Sequence, residues 1–405
     1  MKCILNINLG AAIGTGATRR YIELFNYISQ TSDDVLLILN IDLYNSLKQF
    51  NILKTDKNVL VLNVAIKNKL KIVKNIQVTS STAQGENQNS LIGDFRKTLG
   101  KYKYFLKLFI KWIQFSYHFI KIVLKYKIDT VYAIFTGGIW VWPITKLLNI
   151  KLIFSSNSYI FDNTIKSKLF FFDSDYWVHK YCDVIDFLSP AMVNTFESKV
   201  MIRDKKNYSV SPSSFINLDK FYPVEPKEDW IVFMSRMVAH KNPLLFLNSI
   251  KMANSVYPNL LSKKFYLFGD GPLVPDIKQY IKNNNLANVI FRGEIPNVVS
   301  FISKSKVFIS IQDGNNYPSQ SLLEAMACQN AIIASDVGET RRLVSENEGI
   351  LVPLNAEKIA EALIYLFENP AECDQLGINA RKKVIEEHSI EKFAKYFFSI
   401  MKNEK

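Results

Sequence analysis

The chain has 405 residues, 48% hydrophobic and 21% charged, with a net charge of +13; this is too long for one hydrophobic core, which stops growing near ~250–300 residues, and too apolar for a disordered chain. Cys3, Cys182, Cys328 and Cys373 have neither disulfide nor metal-ligand spacing, and the single Lys2 before a short apolar run does not have the order of a signal peptide, so a reducing, cytoplasmic setting without export is expected. The pI near 9.3 admits nucleic acid, an anionic membrane surface or phosphorylated small molecules as partners, and only the distribution of charge separates them.

Residues 3–9 form an apolar run that ends among Gly10, Gly14 and Gly16, and residues 21–28 follow with helical spacing. The pattern predicts a strand, a Gly-rich turn and a helix. Further apolar runs at 35–39, 59–64, 130–135, 152–155 and 184–188 alternate with helical patterns, as the strands of a parallel sheet do. A polar, proline-bearing stretch, Phe221 to Asp229, reads as a linker, after which the pattern restarts. Strands are expected at 230–234, 265–268, 289–291, 307–311 and 331–334, and helices at 243–256, 274–283 and 321–327. Both halves are therefore α/β. The polar stretch near 80–89 reads as a loop.

The second half holds the residues that suit phosphate chemistry. After the strand at 230–234, Arg236 and Lys241 lie on the loop before a helix, at the sheet edge where α/β proteins bind ligands. A guanidinium fork and an ammonium there fit a diphosphate. The strand at 265–268 ends in Gly269-Asp270-Gly271-Pro272, and that at 289–291 in Arg292-Gly293-Glu294-Ile295-Pro296; each is a tight turn where glycine permits close backbone approach. The strand at 307–311 leads through Asn316, Ser319, Gln320 and Ser321 into a helix whose free N–H groups suit phosphate or sugar hydroxyls, with Glu324 one turn in. Ser321 and Glu324 also match a capping box, a competing explanation.

Arg236, Lys241, Gly269–Pro272, the run Leu322-Leu323-Glu324-Ala325-Met326-Ala327-Cys328 and the later Asp336-Val337-Gly338-Glu339-Thr340 loop, in this order, resemble glycosyltransferase family 4, among the group 1 glycosyl transferases. The resemblance covers nearly the whole C-terminal half. It implies a GT-B fold, two Rossmann-like domains with parallel sheets facing across a cleft: an acceptor domain at 1–223, a nucleotide-sugar domain at 224–385, and a last helix at 386–405 crossing back. Closure about hinges at 221–229 and 386–389 is expected with it.

The resemblance further implies a retaining glycosyltransferase that moves a sugar from a UDP- or GDP-sugar to a glycan or lipid-linked glycan in bacterial surface polysaccharide synthesis. Arg236 and Lys241 would bind the diphosphate and Glu324 the ribose. Gly14, Gly16, Gly269, Gly271, Gly293, Ile295, Asn316, Ser319, Gln320 and Ser321 complete the donor site. No metal or other cofactor is expected, because two cations already meet the diphosphate.

Two positions depart from the family pattern. Asn316 stands where relatives carry an acidic residue, with Asp313 close enough in sequence to substitute. Asn157 stands where many carry a catalytic histidine, and His118 and His179 fall in helical patterns that suit the surface. A sugar-nucleotide epimerase of the same fold and a non-catalytic nucleotide-sugar-binding subunit are therefore the alternatives.

From Arg96 to Lys127 the chain carries no Asp or Glu, and Lys107, Lys111, Gln114, His118, Lys121 and Lys125 step by four and three along one helix face. Lysines interrupt the run too often for a membrane span. An interfacial helix over 97–127 on the inner face of the cell membrane is one reading, and a packed helix with a solvated lysine stripe the other. No nucleic-acid module accompanies the charge, so nucleic acid is not an expected partner.

Overall fold

The computed structural model describes residues 2–7, 16–62, 89–134, 136–156, 175–199, 207–212, 214–295 and 297–402. Backbone contacts divide the chain into two units. The first comprises Met1–Phe187, Met192–Ser209 and Ser399–Lys405, and the second Leu188–Ala191 and Val210–Phe398.

The first unit is built on strands β1 (Cys3–Asn6), β2 (Val35–Asn40), β3 (Val59–Leu62), β4 (Thr130–Ile134), β5 (Lys151–Ser156), β6 (Val184–Phe187) and β7 (Asn207–Val210). Helices α1 (Gly16–Thr31), α2 (Ile41–Gln49), α3 (Asn89–Tyr126), α4 (Thr136–Leu147), α5 (Asp175–Tyr181) and α6 (Pro190–Lys199) connect them. The sheet order is β3-β2-β1-β4-β5-β6-β7. Every residue of β1, β2 and β4 is buried, which explains their unbroken apolar runs: helices cover both faces, so no alternation is needed. His179 of α5 is buried, with its ring edge-on to Phe154 at 4.9 Å. That corrects the surface position expected from the helical pattern, which shows that a helix forms but not which face is covered. His118 is exposed, as expected.

In the second unit the strands are β8 (Glu228–Met234), β9 (Lys264–Phe268), β10 (Val289–Gly293), β11 (Ser305–Ser310), β12 (Ala331–Ser335) and β13 (Gly349–Val352). Its helices are α7 (Pro243–Val256), α8 (Val274–Asn283), α9 (Val299–Ile302), α10 (Gln320–Ala327), α11 (Ala356–Glu368), α12 (Pro370–Glu387) and α13 (Ile390–Lys402). The order β10-β9-β8-β11-β12-β13 is that of a doubly wound sheet, and all its pairings are parallel. Strand order reverses between β8 and β11, so a crevice opens at their carboxyl ends.

Two apolar layers hold this sheet. Phe233, Phe246, Leu267, Ile309 and Leu363 pack on one face, and Val232, Phe268, Phe308, Leu323 and Met326 on the other. The stretch Phe221–Asp229 lies within the second unit, where the amide of Val224 donates to the carbonyl of Ser303 at 3.0 Å. Phe393 of α13 packs on Phe215 at 5.0 Å. The last residues of the chain group with the first unit, in which Lys151 donates to the carbonyl of Ile400. Among the described residues, no helix is long and apolar enough to cross a membrane.

Candidate functional site

At the switch point between β8 and β11 lies a cavity of about 350 Å³. Phe233 and Met234 line it from the end of β8, Ile309 and Ser310 from the end of β11, and Arg236, Lys241, Asn316, Ser319, Gln320, Ser321 and Glu324 from the loops and helix beyond. Seven residues singled out from the sequence, spread over nearly ninety positions, thus surround one space. The topology explains it, since the loops after both strands and the N-terminus of α10 open on the same sheet edge.

Arg236 is exposed, while Lys241 is half-buried and donates to Oε1 of Gln312 at 3.5 Å. Burial pushes the Lys241 ammonium down to about 8, the Arg236 charge pushes the same way, and Asp313 opposes both. An anion entering beside these two cations would relieve both strains at once. Gln312 is itself fixed: its amide donates to Oγ of Ser335 at 3.0 Å, and that hydroxyl donates back to its carbonyl at 2.9 Å. The sequence did not single out Gln312. Its place directly after the strand that borders the switch point was the available signal.

Helix α10 presents its N-terminus to the cavity, and its other end is tied down. Asn330, fully buried, donates to the carbonyls of Ile302 at 2.9 Å and Ala325 at 3.0 Å. Lys227 and Arg381 donate to the carbonyls of Cys328 and Ala327, placing cations at the negative end of the helix dipole. The capping box read from Ser321 and Glu324 is not formed: Ser319 holds the N-cap position, its side chain makes no cap bond, and Ser321 is the second helical residue. The helix begins at Gln320, one residue before the 321–327 pattern, so the N-cap falls two residues before Ser321. Glu324 therefore lines the cavity instead of closing the helix end.

Other residues play different parts. Gln320 accepts from Oγ of Ser214 at 2.6 Å and donates to the carbonyl of Phe215 at 3.3 Å, so its amide holds the 214–215 segment. Gly269 and Gly271 take φ values of +132° and +157°. A Cβ on them would meet the carbonyl oxygens of Ser235 at 1.8 Å and Met237 at 2.4 Å. The close approach their sequence suggested is thus to the Arg236 loop itself. The carbonyl of Gly293 accepts from the amide of Gly269 at 2.9 Å, one layer further back. Ile295 packs in the apolar layer beside Phe268. None of these four borders the cavity.

Asp313 is exposed and does not line the cavity beside Asn316, which is half-buried there. Asn315 accepts from the amide of Tyr317 at 3.1 Å and donates to Glu339 at 3.4 Å, joining this loop to the Asp336–Thr340 loop. Gly16 opens α1 in the first unit, while Gly14 and Asn157 lie outside the described residues.

A doubly wound sheet with paired cations and a helix N-terminus at its switch point is suited to a phosphate-bearing ligand, here in one of the two α/β domains of a GT-B fold. Residues 228–369 match the family model described as Glycosyl transferases group 1. The resemblance drawn from the sequence holds at that level.

The poly(ribitol-phosphate) alpha-N-acetylglucosaminyltransferase of Staphylococcus aureus is 25% identical over 185 residues, 44% of this chain and 36% of that protein. A Campylobacter jejuni alpha-1,4-N-acetyl-D-galactosaminyltransferase, named for a diNAcBac-PP-undecaprenol-linked substrate, is 24% identical over 209 residues, 51% of this chain and 56% of that protein. The chain thus matches between a third and just over half of these two relatives' lengths. Among solved structures, Anabaena HepE in complex with UDP superimposes with a TM-score of 0.71 at 13% identity, covering 100% of both chains. TarM does so with a TM-score of 0.69 at 14% identity, covering 99% of both. At these identities the likeness shows the fold.

Proposed function

We propose that the protein is a retaining glycosyltransferase whose nucleotide-diphosphate sugar donor binds in the cavity between β8 and β11. The observation that carries this is the convergence of Arg236, Lys241, Asn316 and Glu324 on one space at the switch point. Arg236 grips the diphosphate through its fork, and Lys241, charged at neutral pH, stabilises the leaving phosphate as negative charge builds there. Glu324 accepts from the ribose hydroxyls, and the Asn316 amide bonds the donor sugar without adding charge. In the transfer, the bond from the anomeric carbon to the leaving phosphate oxygen breaks, and a bond to the acceptor oxygen forms on the same face. The acceptor proton passes to the leaving phosphate. Two cations supply the countercharge, so no metal or other cofactor enters it.

The nucleotide is UDP or GDP, and HepE, of like fold, was solved with UDP. The acceptor in this reading is a phosphate polymer or a lipid-linked glycan, the kinds of substrate named for two relatives, and the work would be done at the inner face of the cell membrane. Calorimetry with UDP, GDP and ADP on the native chain and on Arg236→Ala and Glu324→Ala variants is the test. One nucleotide should bind and both substitutions should weaken it, with EDTA having no effect. Unaltered binding in both variants would remove the site. A sugar released or altered without acceptor would favour an epimerase, and binding without turnover on any acceptor a non-catalytic subunit.

A further inference from the structure

Helix α3 has two stripes on its exposed side, not one. The lysine stripe read from the sequence is solvent-facing: Lys107, Gln114, His118, Lys121 and Lys125 are exposed. One residue behind each step runs a second series, Leu106, Ile110, Ile113, Tyr117, Ile120 and Leu124, with the same spacing of four and three. Of these, Leu106 is 60% exposed, Tyr117 56% and Leu124 67%, and Ile110 and Ile113 are exposed as well. The helix is held by its other side, where Leu108, Phe115, Phe119 and Val123 are buried and Trp112 donates to the carbonyl of Trp140 at 3.0 Å. An offset of one residue is about 100° around a helix, so the two stripes run in parallel, roughly 27 Å long from Leu106 to Leu124.

Five exposed large apolar side chains in one row are not the scattered leucines of an ordinary surface. From Arg96 to Lys127 every formal charge is positive. Lys121 leans over the Tyr117 ring at 4.3 Å, joining the two stripes. We propose that this face lies on an anionic lipid surface, with the Leu106–Leu124 row immersed among the acyl chains and the lysine row at the phosphate headgroups. Charge decides the occupant. A second copy would bring the same cationic face with no carboxylate to pair it, whereas a lipid leaflet offers apolar depth and negative charge side by side, the arrangement of an interfacial helix. The inference stands apart from the donor site, since no residue of that site belongs to α3.

The test uses the full chain and vesicles of phosphatidylcholine alone or mixed with phosphatidylglycerol, read by flotation. The native protein should float with the mixed vesicles, less at raised salt, and poorly with the neutral ones. A quadruple variant, Leu106→Gln, Ile110→Gln, Ile113→Gln and Leu124→Gln, should lose binding at least ten-fold. A triple variant, Lys107→Gln, Lys121→Gln and Lys125→Gln, should lose roughly five-fold per lysine. Glutamine is a good helix former, and nucleotide binding should persist in both variants. As a further readout, the difference in emission between the Tyr117→Trp variant and the native chain, which share five tryptophans, should shift to the blue on the mixed vesicles and be quenched by brominated lipid. No flotation of the native chain, equal flotation of the variants, or unquenched emission on the vesicles overturns the proposal. So does a dimer lost in the quadruple variant while vesicle binding stays.

Discussion

If the proposed donor site is right, the lowered pKa of Lys241 makes the affinity for a nucleotide diphosphate depend on alkaline pH. In the free protein its ammonium loses its proton near pH 8, because burial and the Arg236 charge outweigh the pull of Asp313. A bound diphosphate beside it favours the charged form and raises that pKa. Below about 8 both states carry the proton and affinity is flat. Above it the free protein must take up a proton on binding, so the dissociation constant rises up to about ten-fold per pH unit, or about 1.4 kcal/mol, until the pKa of the complex is reached. Between pH 7 and 9 the loss is therefore about ten-fold. Calorimetry across that range, in two buffers of different ionisation enthalpy, reads both the affinity and the proton taken up. The uracil or guanine ring ionises in the same alkaline range, so Lys241→Arg, which keeps a fixed charge, is the control: it shares the base effect and lacks the lysine effect. If it shows the same fall as the native chain, Lys241 is not the group, and the reasoning fails.

Glu324→Gln keeps the shape and removes the charge; it should weaken UDP or GDP binding about ten-fold while leaving inorganic pyrophosphate unaffected. Equal losses for the two ligands would place Glu324 away from the ribose. Gly269→Ala forces a Cβ to 1.8 Å from the Ser235 carbonyl at a left-handed φ, so a loss of at least about 2 kcal/mol in stability is expected, with the Arg236 loop displaced and nucleotide binding gone. A native melting temperature would refute that. Asn330→Ala removes the buried side-chain bonds to the carbonyls of Ile302 and Ala325 and to the Ser305 hydroxyl, and urea unfolding should show about 1–3 kcal/mol lost with an unchanged slope.

Among the described residues, eleven strands were legible because buried parallel strands read as continuous apolar runs. The two that were not, Asn207–Val210 and Gly349–Val352, are the last strands of their sheets. An edge strand has one paired side, and Asn207–Val210 with its exposed ends carries little apolar signal. In the site, Arg236 and Lys241 were legible because a cation pair after a strand has a meaning that needs no partner. The structural parts that Gln320 and the glycines play were not, since their partners lie elsewhere in the chain. The amide of Gln320 is spent on Ser214 and Phe215, over a hundred residues away. The space that Gly269 opens is filled by Ser235.

Those remote contacts also explain how a loop keeps two like charges together. Arg236 and Lys241 repel, and a free loop would separate them. Here the amides of Ser235 and Met237 donate to the carbonyls of Phe268 and Asp270 at 3.1 Å and 2.9 Å, and the amide of Leu273 returns to the Met237 carbonyl at 3.1 Å. Three backbone bonds, reachable only because residues 269 and 271 lack side chains, fasten the loop on both sides of Arg236. The Lys241 end is fastened by Asn242, whose left-handed backbone turns the chain into α7 and whose carbonyl accepts from the amide of Phe246 at 3.1 Å. The repulsion is thus held by the backbone before any ligand arrives. A diphosphate bound as proposed would meet cations on a loop whose backbone is already set, so little of its binding energy would go into ordering that loop.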